Sequence, residues 1–301
     1  PILLKTIILT GATGFLGSYL AKSFVSDGYK VIILKRRRSN LQRLTEIENK
    51  VVFYNLEELE LSNPFREHGP ISVVVHAATC YGRSGETARE IFDANTSFPL
   101  KLLEESLRHK VDTFINIDTI LDPLLNAYAL SKTNFTEWGK LLSESKEIRF
   151  MNIKLEHMYG PGDDAKKFTT WIVQRCLNNT PEIDLTLGEQ QRDFIFISDV
   201  GDAMILLLKH TSKFSLGFHN VDLGSGISIS LRDFVEKVHQ LTSSKSKLNF
   251  GAYEYRKYEI MKSCSNIEQL KALGWKCHID LNKGLQQMIE FENNSVSSAN
   301  K

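Results

Sequence analysis

The stretch that most constrains this chain is Thr10-Gly11-Ala12-Thr13-Gly14-Phe15-Leu16-Gly17, set between the apolar run Ile7-Ile8-Leu9 and the helical pattern Leu20, Ala21, Phe24, Val25. That order is strand, glycine turn, helix. Glycines spaced G-x-x-G-x-x-G suit a turn that needs positive φ, and a helix N-terminus where a pyrophosphate must approach bare backbone. A plain strand-to-helix turn would also accept three glycines, so the rest of the chain has to decide between the two.

The chain then alternates. Tyr29-Lys30-Val31-Ile32-Ile33-Leu34 reads as a second buried strand and runs into Lys35-Arg36-Arg37-Arg38. In a dinucleotide fold this place, roughly 20 residues past the glycines, carries an acid for the ribose of NAD or cations for the 2′-phosphate of NADP. Lys35 stands where the acid would be, so NADP(H) is the expected cofactor; a solvated basic loop is the plainer alternative. A third strand, Val51 to Tyr54, leads to Asn55-Leu56, where the Asn55 amide could meet an adenine edge. A fourth, Ile71 to Val75, is followed by His76-Ala77-Ala78-Thr79, whose small side chains would let a cofactor lie across the strand end. His76 reads equally well as a core histidine. A helical pattern from Ile91 to Leu107 contains Asn95 and precedes a fifth strand, Thr113 to Ile117. Strands alternating with helices predict an α/β fold with a doubly wound parallel sheet (a Rossmann fold) and ligands at the strands' carboxyl ends.

The fifth strand delivers Asp118-Thr119, and Tyr128-Ala129-Leu130-Ser131-Lys132 opens the next helical pattern. Positions i and i+4 share a helix face, so the Tyr128 hydroxyl and Lys132 ammonium can point into one pocket. A free tyrosine titrates near about 10, and a cation beside it favours the phenolate, which suits proton transfer. Thr119 could hold a substrate oxygen. A Tyr and a Lys four apart on a solvated helix would look the same in isolation.

Composition narrows the remaining classes. A net charge of +1, from 37 basic and 36 acidic residues, gives no broad electrostatic footprint for nucleic acid or an anionic membrane. Cys80, Cys176, Cys264 and Cys277 are too scattered for a zinc site or a disulfide framework, so no metal and a reducing, cytoplasmic setting are expected. The apolar start is interrupted by Lys5 and reads as the first strand, and no run approaches the roughly 18 apolar residues of a membrane span.

Taken together, Gly11 to Gly17, His76-Ala77-Ala78, Asn95, Thr119, Tyr128 with Lys132, Tyr159-Gly160-Pro161-Gly162 and Gly188 to Phe194 resemble the extended short-chain dehydrogenase/reductase family, in its branch of nucleotide-sugar epimerases, dehydratases and ketoreductases. Cys80-Tyr81-Gly82-Arg83, Leu155 to Gly160 and Glu259-Ile260-Met261 are most similar to the CDP-paratose and CDP-abequose synthases within it. The resemblance implies that Tyr128 exchanges a proton with a sugar oxygen, Lys132 also holds the nicotinamide ribose, and Thr119 orients the reacting group. It implies cofactor contacts from Gly11, Thr13, Gly14, Phe15, Leu16 and Gly17, and from Lys35, Arg36, Arg37, Asn55 and Leu56. Ala77, Ala78, Thr79, Asn95, Leu155 and His157 complete that set, with Tyr128 and Lys132. Substrate contacts are implied for Tyr81, Arg83, Phe168, Arg192 and Arg256, the two last at a diphosphate where a guanidinium fork suits paired oxygens. Only eight residues separate Thr119 from Tyr128, fewer than is usual in the family, so the loop lining the sugar pocket must be short.

The expected organisation is a dinucleotide-binding domain over residues 1–160, with 193–222 returning to it. A smaller α/β substrate lobe takes 161–192 and 223–292, and a disordered tail 293–301. Residues absent from the motif choose the reaction. The 4,6-dehydratases of the family follow the Thr with an Asp-Glu pair, and the 3,5-epimerase-reductases with a Cys; this chain has Ile120-Leu121. The 4-epimerases generally carry an acid where Lys35 stands. What remains is an NADPH-dependent C4 ketoreductase of a nucleotide-linked 4-keto-3,6-dideoxyhexose, acting in O-antigen sugar biosynthesis, with CDP-paratose narrowly preferred to its epimer CDP-abequose. A dTDP-4-keto-6-deoxyglucose reductase, a 4-epimerase and a non-catalytic NADP(H) sensor are the alternatives. A homodimer is expected, through helices of the dinucleotide domain.

Overall fold

The computed structural model describes residues 5–299, with side chains through residue 295. Ile2-Leu3-Leu4, expected to open the first strand, lie outside the described residues. In chain order the elements begin β1 (Thr6–Thr10), α1 (Phe15–Ser26), β2 (Lys30–Lys35), β3 (Val52–Asn55), α2 (Asn63–His68), β4 (Val73–His76), α3 (Ala88–Phe92), α4 (Phe98–Arg108), β5 (Thr113–Thr119), α5 (Ala127–Leu142) and β6 (Arg149–Leu155). They continue β7 (His157–Tyr159), α6 (Phe168–Leu177), β8 (Glu182–Leu185), β9 (Gln191–Phe196), α7 (Ile197–Lys209), β10 (Gly217–Leu223), β11 (Ser228–Ser230), α8 (Leu231–Leu241), β12 (Lys247–Phe250), α9 (Glu268–Ala272) and α10 (Leu281–Ala299).

The chain divides into two compact units. One runs to Leu155 and includes Gly201–Val221. Its sheet has the order β10-β6-β5-β4-β1-β2-β3, and β1 to β6 pair in parallel. Every residue of β1 is buried, as both-face coverage demands of a central parallel strand. The chain leaves β1 toward β2 on one side and returns through β4 on the other, so the order reverses at the carboxyl end of β1, where a crevice for ligands opens in sheets of this kind.

Beneath α5 the core is aromatic. Phe114 of β5 and Phe150 of β6 stack at 5.4 Å, and Phe135 of α5 meets both edge-on or tilted. Gly139 lets the helix settle on this layer, since a Cβ there would lie 2.2–2.6 Å from the Phe150 ring. The helix is thereby pressed against β5 with Tyr128 and Lys132 in its first two turns. Asn126 caps it, accepting from the Ala129 amide at 2.8 Å.

The second unit comprises Glu156–Val200 and the chain from Asp222. Two small sheets lie in it, β11-β9-β7 and β12-β8. Three expectations change here. Residues 193–200 and 156–160 do not belong with the dinucleotide domain, because β9 pairs in parallel with β7 and antiparallel with β11. The helix expected over Ile91 to Leu107 is interrupted by a π-turn over Asp93–Ser97, which precedes Pro99 in the first turn of α4. Residues 293–299, expected as a disordered tail, continue α10, and Asn300 and Lys301 lie outside the described residues. No described helix is long and apolar enough to cross a membrane.

Gly139→Ala is expected to destabilise the protein by on the order of 1–3 kcal/mol, since Phe150 has no room to retreat within its stack; chemical denaturation of the purified variant measures it.

Candidate active site

At the end of β1 the glycines divide into two kinds. Gly11 has φ +75°, and a Cβ on it would sit 2.4–2.7 Å from the backbone of Ala77 and Ala78. A Cβ on Gly17 would come within 2.0 Å of the Gly11 carbonyl. These two glycines close the turn upon itself. Gly14 is exposed, and its nearest neighbour to an added Cβ is the Gly11 carbonyl at 3.4 Å, so internal packing does not explain its missing side chain. No side chain caps α1, and no acid sits in its first turn. An exposed glycine at an uncapped, acid-free helix start fits a pyrophosphate. Thr13, Phe15 and Leu16 continue this rim, each partly exposed.

The ribose end lies along β2 and β3. Lys35 and Asn55 face each other in register, and the Lys35 ammonium donates to Asn55 Oδ1 at 2.8 Å. Lys35 thus engages one acceptor site of the Asn55 amide. Leu56 follows at the β3 exit, half-buried. Arg36 is exposed, while Arg37 pairs with Glu58 at 3.2 Å and its amide donates to Glu57.

The candidate proton-transfer residues come from β5 and α5, with the segment after β4 against them. The Leu121 amide donates to Thr119 Oγ1 at 3.3 Å, and Thr119 and Tyr128 share a side-chain hydrogen bond. Tyr128 keeps an exposed edge, yet burial of its hydroxyl end dominates and raises its pKa; the Tyr81 phenol acts the same way, and the Thr119 hydrogen bond opposes. Lys132 is buried, and desolvation lowers its pKa to about 8 against the pull of Asp118. Asp118 is itself held by Thr136 and Asn152, both at 2.9 Å.

Asn95 is bonded within the protein. Its Oδ1 accepts from the Cys80 amide at 2.7 Å and from Thr79 Oγ1, and its Nδ2 donates to Cys80 O at 2.8 Å and Ser131 Oγ at 3.0 Å. An amide offers two donors and two acceptor sites, and all are used within the protein. Asn95 thus ties the segment after β4 to α5. The π-turn is what lets it reach both. His76 is a core residue whose Nδ1 meets Thr10 Oγ1 at 2.8 Å, and Thr10 in turn accepts from the Ala78 amide.

In the second unit, buried Arg192 pairs with Glu259, whose other oxygen accepts from Arg256 Nε at 3.0 Å. The two arginines are brought together by one carboxylate. Asp193 beside them accepts from Ser225, Gly226 and Ser265 backbone amides at 2.7–3.1 Å, which fixes the loops around Arg192. His157 stands edge-on to Phe194, with its Nδ1 3.5 Å from Glu156. Phe168 starts α6 and packs against Trp171 and Phe234. Leu155 ends β6 in the first unit. The roles of Glu259, Ser131 and Asn126 were not read from the sequence. Asn126 carried a signal, an Asn just before a helical pattern; the others act through partners distant in sequence.

A family model for the NAD dependent epimerase/dehydratase family matches residues 7–217. The chain belongs to this family, the extended short-chain dehydrogenases/reductases. Among its relatives are the CDP-abequose synthases of Salmonella muenchen, 34% identical over 96% of this chain and 98% of theirs, and of Salmonella typhimurium, 32% identical over 94% and 97%. The fold matches the crystal structure of a UDP-glucuronic acid 4-epimerase from Bacillus cereus in complex with UDP-glucuronic acid and NAD, with a TM-score of 0.82 at 20% identity over 96% of this chain and 99% of that one. As a member of the family, the chain is an NAD(P)-dependent oxidoreductase.

The family's buried lysine is costly to the fold. A lysine lowered from 10.5 to about 8 carries its full penalty below pH 8. Stability from this group then rises between pH 8 and 10.5, where the unfolded chain holds the proton that the folded one has released. Lys132→Met removes this penalty, so its stability relative to wild type should be greatest below pH 8, with turnover lost. The gain should shrink toward pH 10.5, as thermal melts across that range would report.

Proposed function

We propose that this protein is an NADPH-dependent C4 ketoreductase of a nucleotide-linked 4-keto-3,6-dideoxyhexose. The observation that carries the reading is the relay from the Leu121 amide through Thr119 to the Tyr128 phenol, with Ile120-Leu121 in the place of a dehydratase's acid pair. Burial keeps the phenol protonated at neutral pH, which is the form a reductase needs. Thr119 and Tyr128 would hold the C4 ketone oxygen. NADPH held at the glycine turn and the cationic end of β2 would supply hydride for C4. Tyr128 gives its proton to the oxygen, so that the ketone becomes a secondary alcohol, and Lys132 stabilises the phenolate left behind.

The cations at the β2 end support the 2′-phosphate and an exchangeable cofactor, and the Arg192–Glu259–Arg256 cluster supports a diphosphate-linked substrate. The relatives named CDP-abequose synthase favour the CDP base, and abequose over paratose as the product.

The test follows NADPH oxidation with CDP-4-keto-3,6-dideoxyglucose, with NADH and dTDP-4-keto-6-deoxyglucose as comparators, and takes the product's C4 configuration from ring-proton couplings. NADPH loss with the CDP sugar and an abequose product are expected; no oxidation with the CDP sugar would sink the proposal. Tyr128→Phe should abolish turnover and spare NADPH binding. Arg36→Ala with Arg37→Ala should raise KM for NADPH far more than for NADH, and equal effects would remove the 2′-phosphate assignment.

We also propose a homodimer through α5, where Leu130, Trp138 and Leu141 lie on one face at 44%, 44% and 54% exposure. Light scattering of the wild type should give twice the chain mass, and Trp138→Glu should halve it. A monomeric wild type would refute this.

A further inference from the structure

The segment after β4 carries a run of ring contacts that ends on Tyr128. The Tyr81 ring lies 4.9 Å from the Tyr128 ring at 43°, and the Arg83 guanidinium carbon stands 4.6 Å from the centre of Tyr81. Guanidinium, phenol and phenol thus follow one another.

Several features build this run. Asn95 pins the peptide of Cys80, the residue before Tyr81, from both sides. Gly82 has φ +69°, a left-handed conformation that favours glycine, at the turn that brings Arg83 back over Tyr81. Asn95 also donates to Ser131 Oγ, and Ser131 donates to the Tyr128 carbonyl at 2.8 Å. A closed circuit results, running from the Tyr128 carbonyl through Ser131, Asn95 and Cys80 to Tyr81, and across the ring contact to the Tyr128 ring.

We infer that Arg83, acting through Tyr81, is a positioning residue for the proton donor, holding the Tyr128 ring and directing positive charge toward the phenolate that forms when its proton leaves. The inference rests on Tyr128 being that donor. Four groups act on Tyr128: Tyr81 and Arg83 from the segment after β4, and Asp118 and Thr119 from β5. Tyr81 and Asp118 disfavour the phenolate, whereas Thr119 and Arg83 favour it. Lys132 has its own buried counter-charge in Asp118. A cation over the face of an aromatic ring is attracted to it, which holds Arg83 on Tyr81.

The experiment compares wild type, Arg83→Gln and Arg83→Lys over pH, in reduction of CDP-4-keto-3,6-dideoxyglucose and in the reverse oxidation with NADP. Removing the charge makes the phenolate harder to form. In Arg83→Gln, kcat at neutral pH should therefore fall several-fold, and the alkaline limb of reduction and the rising limb of oxidation should both move to higher pH. Arg83→Lys should return both limbs toward wild type, and added salt should narrow the difference, since Arg83 is exposed. NADPH binding, read by its fluorescence, should be equal in all three. Limbs that stay in place in Arg83→Gln, or an Arg83→Lys no better than Arg83→Gln, would overturn the inference. Full turnover by Tyr128→Phe would instead overturn the donor reading itself, so the two failures are separable.

Discussion

The whole dinucleotide-binding unit depends on one close approach, that of the Gly11 backbone to Ala77 and Ala78 at the end of β4. With any side chain at Gly11, β1 and β4 could not stay adjacent through the turn. Gly17 closes the other side against Gly11 itself. The crevice at the strand reversal exists because these contacts are backbone to backbone, and it leaves Gly14 at the rim as the exposed member of the three.

From that crevice the candidate catalytic side chains are placed by two further layers. Below, the Phe114, Phe135 and Phe150 stack and the notch at Gly139 set the height of α5 over β5 and β6. Above, polar groups set its details. Asp118, Thr136 and Asn152 form a buried network beside Lys132, and Asn95 joins the segment after β4 to Ser131. Buried polar groups of this kind are worth their cost only when each partner is met, and here the same bonds that satisfy them also orient Tyr128. The low pKa of Lys132 and the raised one of Tyr128 share a cause, since each is charged in the form that burial opposes.

Much of this was legible in advance, for identifiable reasons. The β1 to β6 order appeared as buried apolar runs because central parallel strands are covered on both faces. Tyr128 and Lys132 could be paired because i, i+4 spacing on a helix is geometry local to the sequence. Asn95 was visible as a residue but its role as an internal clamp was not, since a cofactor contact and a clamp use the same amide. The assignment of residues 193–200 failed because β9 reads as any apolar strand, and only its pairing with β7 and β11 shows which sheet it joins.

By itself, then, the sequence determined the doubly wound sheet, the glycine turn, the cationic end of β2 and the Thr119, Tyr128 and Lys132 set, because each depends on residue identity and short spacing. The tertiary structure alone decided that Asn95 is a clamp, that Glu259 joins Arg192 and Arg256, and that Arg83 lies over Tyr81 and Tyr81 against Tyr128. Each of these brings together residues from segments far apart in the chain, and side-chain hydrogen bonds and ring contacts over such separations leave no periodic or local trace to read.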